Sequence, residues 1–199
     1  TLPHEKRIPA SIGSAFVNYR YLLRHKVFMR FTLCVTFYYV AAYAFIAGSP
    51  RVYISYFGVD PQHYGWLFAV NIVGVMVVSF FNRHLVCHFT LHRLLQIATA
   101  VALIAIVAMS AFVMAQSYGI SIIVAMIFVF FSMNGIVAAS ATAAALDEVP
   151  HIAGSASALI GSLQYGSGIV SSLLLTVFSK GTPNTMAWIM LFFSAASFL

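Results

Sequence analysis

Residues Leu94–Ala115 read LLQIATAVALIAIVAMSAFVMA, a run that contains no Asp, Glu, Lys or Arg. A helix needs about 20 apolar residues to cross the hydrocarbon core of a bilayer, which is about 30 Å thick. A charged side chain at the centre of that core costs about 3 kcal/mol or more. The run therefore predicts a membrane-spanning helix, and its aliphatic middle predicts that this helix faces lipid.

The same sorting of charge extends along the whole chain of 199 residues. The chain is 62% hydrophobic, and its 10 Lys and Arg and 4 Asp and Glu residues lie in short segments between apolar runs. A soluble helical protein would instead place charges along the outer faces of amphipathic helices. We therefore predict an all-α membrane protein with a bundle of six spans in residues 27–199. The predicted spans are residues 31–48, 64–81, 94–115, 120–146, 152–178 and 186–199.

The last predicted span is short. At 1.5 Å per residue, residues 186–199 extend for only about 21 Å, which is less than the thickness of the hydrocarbon core. The chain also begins with a charged segment, residues 1–26, that has neither an initiator Met nor a signal sequence. We interpret the sequence as an internal piece of a larger membrane protein, with its sixth helix truncated.

Basic residues predict the orientation, because cytoplasmic loops of membrane proteins carry an excess of Lys and Arg. Eight basic residues flank one side of the predicted bundle and two flank the other. The N-terminal linker is therefore predicted to be cytoplasmic, and the net charge of +6 reflects topology and not nucleic-acid binding. The eight are Lys6, Arg7, Arg20, Arg24, Lys26, Arg30, Arg83 and Arg93, and the two are Arg51 and Lys180.

The linker, residues 1–26, ends in a predicted amphipathic helix. Ile12, Phe16, Tyr19 and Leu23 recur at helical spacing, and the basic residues lie off that stripe. Such a helix is expected to lie on the cytoplasmic leaflet, with its basic face near anionic headgroups. It serves either as a connector between two membrane domains, which we favour, or as a regulatory or partner-binding segment.

Three side-chain amides lie near mid-depth in different predicted spans. They are Asn71, Asn134 and Gln164, and Tyr39 and Tyr43 share one face of the first span. An amide without a partner in hydrocarbon costs several kcal/mol. These residues therefore either bond between helices or line a wet cavity for a bulky, partly apolar ligand. Their similar depth favours the cavity.

The fifth predicted span is rich in small residues, which let helix backbones approach closely. Its glycines are predicted to pack against neighbouring helices, and they offer a surface on which helices can slide. These glycines are Gly154, Gly161, Gly166 and Gly168.

Residues 145–161 read ALDEVPHIAGSASALIG, and this stretch resembles a signature of one transporter family. The opening Thr1-Leu2-Pro3 and the segment FAVNI at residues 68–72 are similar to the same family. The chain is identified on these motifs as a member of the bicyclomycin/chloramphenicol-efflux family of drug:proton antiporters, within the major facilitator superfamily. The resemblance implies helices seven to twelve of a twelve-helix carrier with a 3+3 inverted repeat, in a bacterial inner membrane.

The resemblance also implies a function. Two six-helix halves rock around a central cavity and export an amphipathic small molecule while protons enter, so the driving force is the proton gradient and no cofactor is needed. The partners are the lipid bilayer, the N-terminal half of the same carrier and the substrate, but not nucleic acid. Helices seven, eight, ten and eleven line the cavity in this superfamily. The cavity candidates are Tyr39, Tyr43, Asn71, Asn134 and Gln164.

Charged and histidine residues gather at the predicted cytoplasmic ends of the spans. Asp147 and Glu148 are candidates for a gate that pairs with Arg83 or Arg93, or for solvated caps of a helix N-terminus. His84, His88 and His92 would form one stripe on a helix, which does not converge easily on a metal ion. We expect these histidines to lie at the headgroup boundary, without a metal.

No predicted span contains Asp or Glu at depth, although proton coupling usually needs a buried carboxylate. That group is expected in the N-terminal half. A proton-coupled nutrient symporter on the same fold and a non-transporting membrane scaffold are the alternatives. An enzyme is not expected, because the chain lacks a phosphate-binding loop, a nucleophile elbow and a His-Glu-x-x-His pattern.

Overall fold

The computed structural model describes residues 12–115, 119–178 and 183–198, with side chains from Phe16 onward in the first stretch. Every element in these residues is helical. Residues 1–11 of the predicted linker and residues 116–118 and 179–182 of two predicted loops lie outside the described part. The elements are α1 (Ile12–Arg24), α2 (Lys26–Pro50) with a π-helical continuation (Arg51–Tyr56), α3 (Pro61–His88), α4 (Leu91–Met114), α5 (Ile120–Ser132), α6 (Asn134–Asp147), a 3₁₀ turn (Pro150–Ile152), α7 (Ala153–Phe178) and α8 (Pro183–Ser197).

Five helical segments in the described residues are long and apolar enough to cross a membrane. They correspond to the first five predicted spans, although each begins or ends beyond the residues predicted for it. The segments are Lys26–Tyr56, Pro61–His88, Leu91–Met114, Ile120–Asp147 and Pro150–Phe178. The sixth predicted span corresponds to α8, which has 15 residues.

Side-chain caps define where two of the spans begin. The carboxylate of Asp60 accepts a hydrogen bond from the backbone N–H of Gln62 at 2.9 Å, and Pro61 occupies the first helical position. Thr90 starts α4 in the same way, because its hydroxyl accepts from the N–H of Arg93 at 3.4 Å. Asp and Thr are favoured caps since they satisfy N–H groups that have no partner within the helix.

The core of the bundle forms around α2 and α4. Helix α2 packs against α6, α7 and α8, and α4 packs against α5, α6 and α8. The fully buried side chains of Phe28, Phe45, Ile106 and Met109 belong to this shared core. Helix α3 lies on the outside of α5 and α6, so its apolar residues are covered on one face only.

The third predicted span, α4, has one face in the core and one face on the outside of the bundle. About 44% of its most apolar stretch is buried inside the bundle, compared with 11% for α3 and 22% for the span that contains α7. Ala98, Ala102 and Ile106 pack inward, whereas Ile97 and Ile104 are exposed. Composition did not reveal this, because an aliphatic helix looks the same whether its small alanines face another helix or lipid.

Close helix packing occurs at glycines other than those predicted. A Cβ at Gly74 of α3 would overlap the hydroxyl of Ser132, and one at Gly135 of α6 would overlap the hydroxyl of Ser79. Gly74 therefore packs α3 closely against Ser132 of α5, and Gly135 packs α6 closely against Ser79 of α3. A Cβ at any of the predicted glycines 154, 161 and 166 would meet no described atom within 4 Å, and one at Gly168 would lie 3.5 Å from the Tyr43 ring. Gly154, Gly161 and Gly166 therefore do not bring described helices into close contact.

The predicted linker helix corresponds to α1, and its buried face differs from the predicted stripe. Leu22 is fully buried, whereas Phe16 is 73% exposed and Leu23 is 57% exposed. The amide of Asn18 donates a hydrogen bond to the hydroxyl of Ser155 on α7 at 3.2 Å. Helix α1 is therefore attached to the start of α7, with Tyr19 of the predicted stripe packed against the core and Phe16 and Leu23 exposed.

We expect Gly74→Ala to destabilise the protein by about 1–3 kcal/mol, because overpacking forces helices apart. The added methyl would meet the hydroxyl of Ser132 and would lie 2.7 Å from Cε2 of the Phe128 ring. Thermal unfolding in detergent measures the effect. Gly65→Ala on the same helix is the control, since its Cβ would meet no described atom within 4 Å and alanine favours helix by about 1 kcal/mol. Equal melting temperatures for the two variants would contradict the packing.

Candidate functional site

Three helices converge on the hydroxyl of Tyr39. Tyr39 lies on α2, and the side-chain amides of Asn134 on α6 and Gln164 on α7 both lie near its hydroxyl. The convergence follows from the packing of α2 against both α6 and α7. A phenol and two amides, each of which can donate and accept hydrogen bonds, therefore meet in one place.

Aromatic rings extend this cluster along α2 and α7. The centroids of the Tyr39 and Tyr43 rings are 5.9 Å apart, and the Tyr165 ring contacts Tyr39 edge-on at 6.4 Å. Gly168 faces the Tyr43 ring, because a Cβ at this position would lie in van der Waals contact with it at 3.5 Å. We define the polar-aromatic cluster as Tyr39, Tyr43, Asn134, Gln164 and Tyr165. It offers flat apolar surfaces beside hydrogen-bonding groups, as small-molecule sites commonly do.

Tyr165 was not among the sequence-predicted residues. It is the one aromatic residue in residues 152–177, a stretch dominated by small residues, and it directly follows Gln164. An isolated aromatic residue in such a stretch is the sequence signal that could have identified Tyr165 as a site residue. Its ring is 69% exposed, so the cluster opens to the surface of the bundle on the α7 side.

Asn134 owes its position to a break in the fourth span. Helix α5 ends at Ser132, Met133 forms a tight turn with helical backbone angles (φ −72°, ψ −15°), and Asn134 is the first residue of α6. The carbonyl oxygen Oδ1 of Asn134 is shielded from solvent and has no hydrogen-bond partner among the described residues. A buried acceptor without a partner is costly, so this oxygen can accept a hydrogen bond from a ligand or a water molecule.

Asn71 does not belong to the cluster. It is almost fully buried on the face of α3 that carries Gly74, and α3 packs mainly against α5 and α6. Its amide nitrogen donates to the carbonyl of Leu67 at 3.2 Å, while its Oδ1 has no partner in the described chain. The structure thus brings together four of the five predicted residues, because depth in a span does not fix which neighbour a side chain faces.

The predicted gating residues are exposed and form no ion pair with one another in the described residues. The guanidinium of Arg83 lies over the Phe80 ring, 4.4 Å from its centroid. Asp147 is the last residue of α6 and Glu148 follows as its C-terminal cap. The residue directly before the 3₁₀ turn that leads into α7 is Val149, not Asp147 or Glu148. The prediction that these acids cap a helix N-terminus is therefore wrong.

The three histidines do not share one helix. Helix α3 ends at His88, whose Nδ1 lies 3.0 Å from the carbonyl oxygen of His84. His92 belongs to α4, and its ring contacts the Phe31 ring on α2 edge-on, with 6.2 Å between the ring centroids. The non-helical residues Phe89 and Thr90 separate His84 and His88 on α3 from His92 on α4. The prediction of one stripe of three histidines on a helix is therefore wrong. No group of three His, Cys, Asp or Glu residues in the described ranges can hold a metal ion.

Two apolar clefts lie away from the polar-aromatic cluster. One, of about 480 Å³, lies between α7 and α8 beside Leu174 and Trp188. The other, of about 500 Å³, lies between α3 and α5 beside Val70 and Val124. Their walls are almost entirely hydrocarbon, which suits lipid-facing grooves better than a selective site.

Comparison with known proteins identifies relatives along most of the chain. The pattern of the family described as Major Facilitator Superfamily matches residues 2–172. The chain is 34% identical over 177 residues to an uncharacterized MFS-type transporter, YdgK, of Bacillus subtilis (strain 168), an alignment that covers 89% of this chain and 44% of that protein. It is 27% identical over 188 residues to a bicyclomycin resistance protein homolog of Haemophilus influenzae, covering 94% and 46%. The chain spans about half the length of the curated relatives that it matches.

A wet cluster makes a specific prediction for cysteine labelling of the full-length protein in cells. In a variant that lacks Cys34 and Cys87, we expect Tyr43→Cys to react with a maleimide at least about tenfold faster than Ile104→Cys, because the reactive thiolate forms only where water is present. Ile104 is the matched control, since it is exposed on the outer face of α4, the span predicted to face lipid. Equal and slow labelling at both positions would contradict a wet site.

Proposed function

Because the chain belongs to the Major Facilitator Superfamily, we propose that it forms the C-terminal six-helix half of a carrier that exports amphipathic small molecules in exchange for protons. Members of this superfamily are transporters and not enzymes, and the chain is a multi-pass membrane protein. The name of the Haemophilus influenzae relative, a bicyclomycin resistance protein homolog, supports drug export as the direction of transport.

The single observation that carries the proposal is the meeting of Asn134 and Gln164 at the hydroxyl of Tyr39. The polar-aromatic cluster contains no Asp, Glu, Lys, Arg or His. Its three tyrosine rings provide apolar contact area, and the Oδ1 atom of Asn134 provides a free acceptor. This chemistry suits an uncharged or delocalised amphipathic ligand, whereas a symporter for a charged nutrient needs a counter-charge.

The exposed faces of α3 and α7 support a second six-helix half as the partner. Met76 on α3 is 65% exposed, and Ile169 and Leu173 on α7 are similarly exposed. Tyr165 of the cluster opens on the same side as Ile169. In the proposal, a partner half meets α3 and α7 and closes the cavity, while the outer faces of α4 and α8 meet lipid.

The proposed carrier lies in a bacterial inner membrane with the start of α1 on the cytoplasmic side. Residues 1–26 then connect the two halves, and residues 27–199 form the C-terminal bundle. The attachment of α1 to α7 through Asn18 and Ser155 fits a connector that ends against its own domain. Basic residues at the same ends of the spans support this orientation.

Proton coupling is assigned in the proposal to the other half. Within the described helices, the carboxylates of Asp60, Asp147 and Glu148 all lie at helix ends. A latch between the two acids and Arg83 or Arg93 is proposed for the alternate state of the carrier. It would form when Arg83 leaves the Phe80 ring, and an exposed pair of this kind contributes about 1 kcal/mol or less.

We expect Asn134→Ala and Gln164→Ala to raise the drug sensitivity of cells that depend on the full-length carrier. Each substitution removes the proposed hydrogen bond between the amide and the transported molecule. A loss of about 1–2 kcal/mol corresponds to a roughly 5- to 30-fold lower transport efficiency. Growth in bicyclomycin, at matched expression, measures the effect.

Asn184→Ala is the control for both variants, because it removes an exposed amide at the start of α8. Its resistance should equal that of the wild type. Resistance at the wild-type level in Asn134→Ala and Gln164→Ala as well would exclude the polar-aromatic cluster as the site.

The division of labour between the halves predicts that this chain alone does not couple drug movement to protons. We expect proteoliposomes that contain only this chain to show no bicyclomycin flux in response to a pH gradient, since its carboxylates lie at helix ends. Liposomes that contain the full-length carrier are the positive control. Proton-driven flux with the chain alone would overturn the assignment of coupling to the other half.

A further inference from the structure

The break between α5 and α6 is held by a side chain from α2. The backbone N–H of Met133 bonds to the carbonyl of Phe130 at 3.2 Å, a tighter turn than the α-helical pattern. The hydroxyl of Tyr38 donates a second hydrogen bond to the same carbonyl oxygen. The carbonyl at the break therefore has a donor from outside its own helix.

The aromatic ring of Tyr38 strengthens this contact. It stacks on the Phe130 ring with a centroid distance of 4.7 Å and an interplanar angle of 13°. Tyr38 is only 1% exposed, so the hydrogen bond is shielded from water and competing donors are excluded. Both the ring and the hydroxyl thus hold Phe130 against α2.

Two adjacent tyrosines consequently contact the two sides of the break. Tyr38 holds Phe130, three residues before Met133, while Tyr39 lies near Asn134, the residue that follows it. Successive residues on a helix point about 100° apart, which lets one side chain face the core and the next face the polar-aromatic cluster. The geometry couples the break to the site.

We propose that Tyr38 is a positioning residue, which fixes the direction from which Asn134 enters the polar-aromatic cluster by anchoring the Phe130 carbonyl at the helix break. The inference rests on the proposed function, since it concerns the same site. Without the hydroxyl, the carbonyl loses its external donor, and the tight turn at Met133 can relax toward regular α-helical winding. A helix rotates by about 100° per residue, so even a partial change in winding turns Asn134 away from Tyr39.

A transport experiment on the full-length carrier tests the inference with a matched control. Tyr38→Phe keeps the stacked ring and removes the hydroxyl. Tyr53→Phe removes a hydroxyl of a tyrosine that is equally buried, but whose oxygen has no partner among the described residues. With radiolabelled bicyclomycin in membrane vesicles, we expect Tyr38→Phe to raise KM roughly threefold to tenfold, with Tyr53→Phe at the wild-type value.

The double variant separates positioning from general destabilisation. If Tyr38 acts through Asn134, adding Tyr38→Phe to Asn134→Ala should raise KM no further than Asn134→Ala alone. Fully additive effects of the two substitutions, or a wild-type KM for Tyr38→Phe, would overturn the inference.

A structural measurement decides the inference even if the proposed site is wrong. Spin labels at Ser121, near the start of α5, and at Glu148, just after α6, report the angle across the break in a variant without Cys34 and Cys87. We expect a broadened or shifted distance distribution with Tyr38→Phe and a wild-type distribution with Tyr53→Phe. Unchanged distances with Tyr38→Phe would refute the anchor, whereas unchanged transport by Asn134→Ala with altered distances would refute only the site.

Discussion

The fold depends on one constraint, which is that polar groups among apolar helices must find partners where water is scarce. Several hydroxyls meet it within their own helix: Thr36 donates to the carbonyl of Thr32, and Thr99 donates to that of Leu95. Others meet it by bonding to a neighbouring helix. These hydrogen bonds between helices, called crossings below, decide which helices are joined by more than dispersion contacts. The positions of polar side chains therefore report the architecture more directly than the apolar residues, which tolerate many neighbours.

Helix α2 receives or supplies most of these crossings, and this explains why the site forms on it. Ser171 of α7 donates to the carbonyl of Val40 at 2.7 Å, and Ser197 of α8 donates to that of Cys34 at 2.9 Å. The Tyr38 hydroxyl reaches the carbonyl of Phe130 on α5. Because α2 is held on three sides, the remaining side is where Tyr39 and Tyr43 stand. In the proposed carrier, a ligand at these tyrosines would contact a helix that is hydrogen-bonded to several neighbours.

The sequence was sufficient for the spans but not for their rotation. Charge sorting located five membrane-length helices, since a misplaced charge in hydrocarbon is costly at any helix rotation. Rotation depends on contacts between particular side chains. Asn71 therefore turned toward α5 while Asn134 and Gln164 turned toward Tyr39, although all three are amides near mid-depth. Glycine packing fell on Gly74 and Gly135 for the same reason, because a glycine matters only where a neighbour such as Ser132 or Ser79 approaches.

Buried polar atoms that have no partner among the described residues occur throughout the bundle. They include the hydroxyls of Thr32 on α2, Ser110 on α4 and Ser194 on α8, as well as Oδ1 of Asn71 on α3 and of Asn134 on α6. A protein that rocks between two states needs the states to be close in free energy. In the proposed carrier, unpaired polar atoms on several helices keep any one arrangement from being too stable.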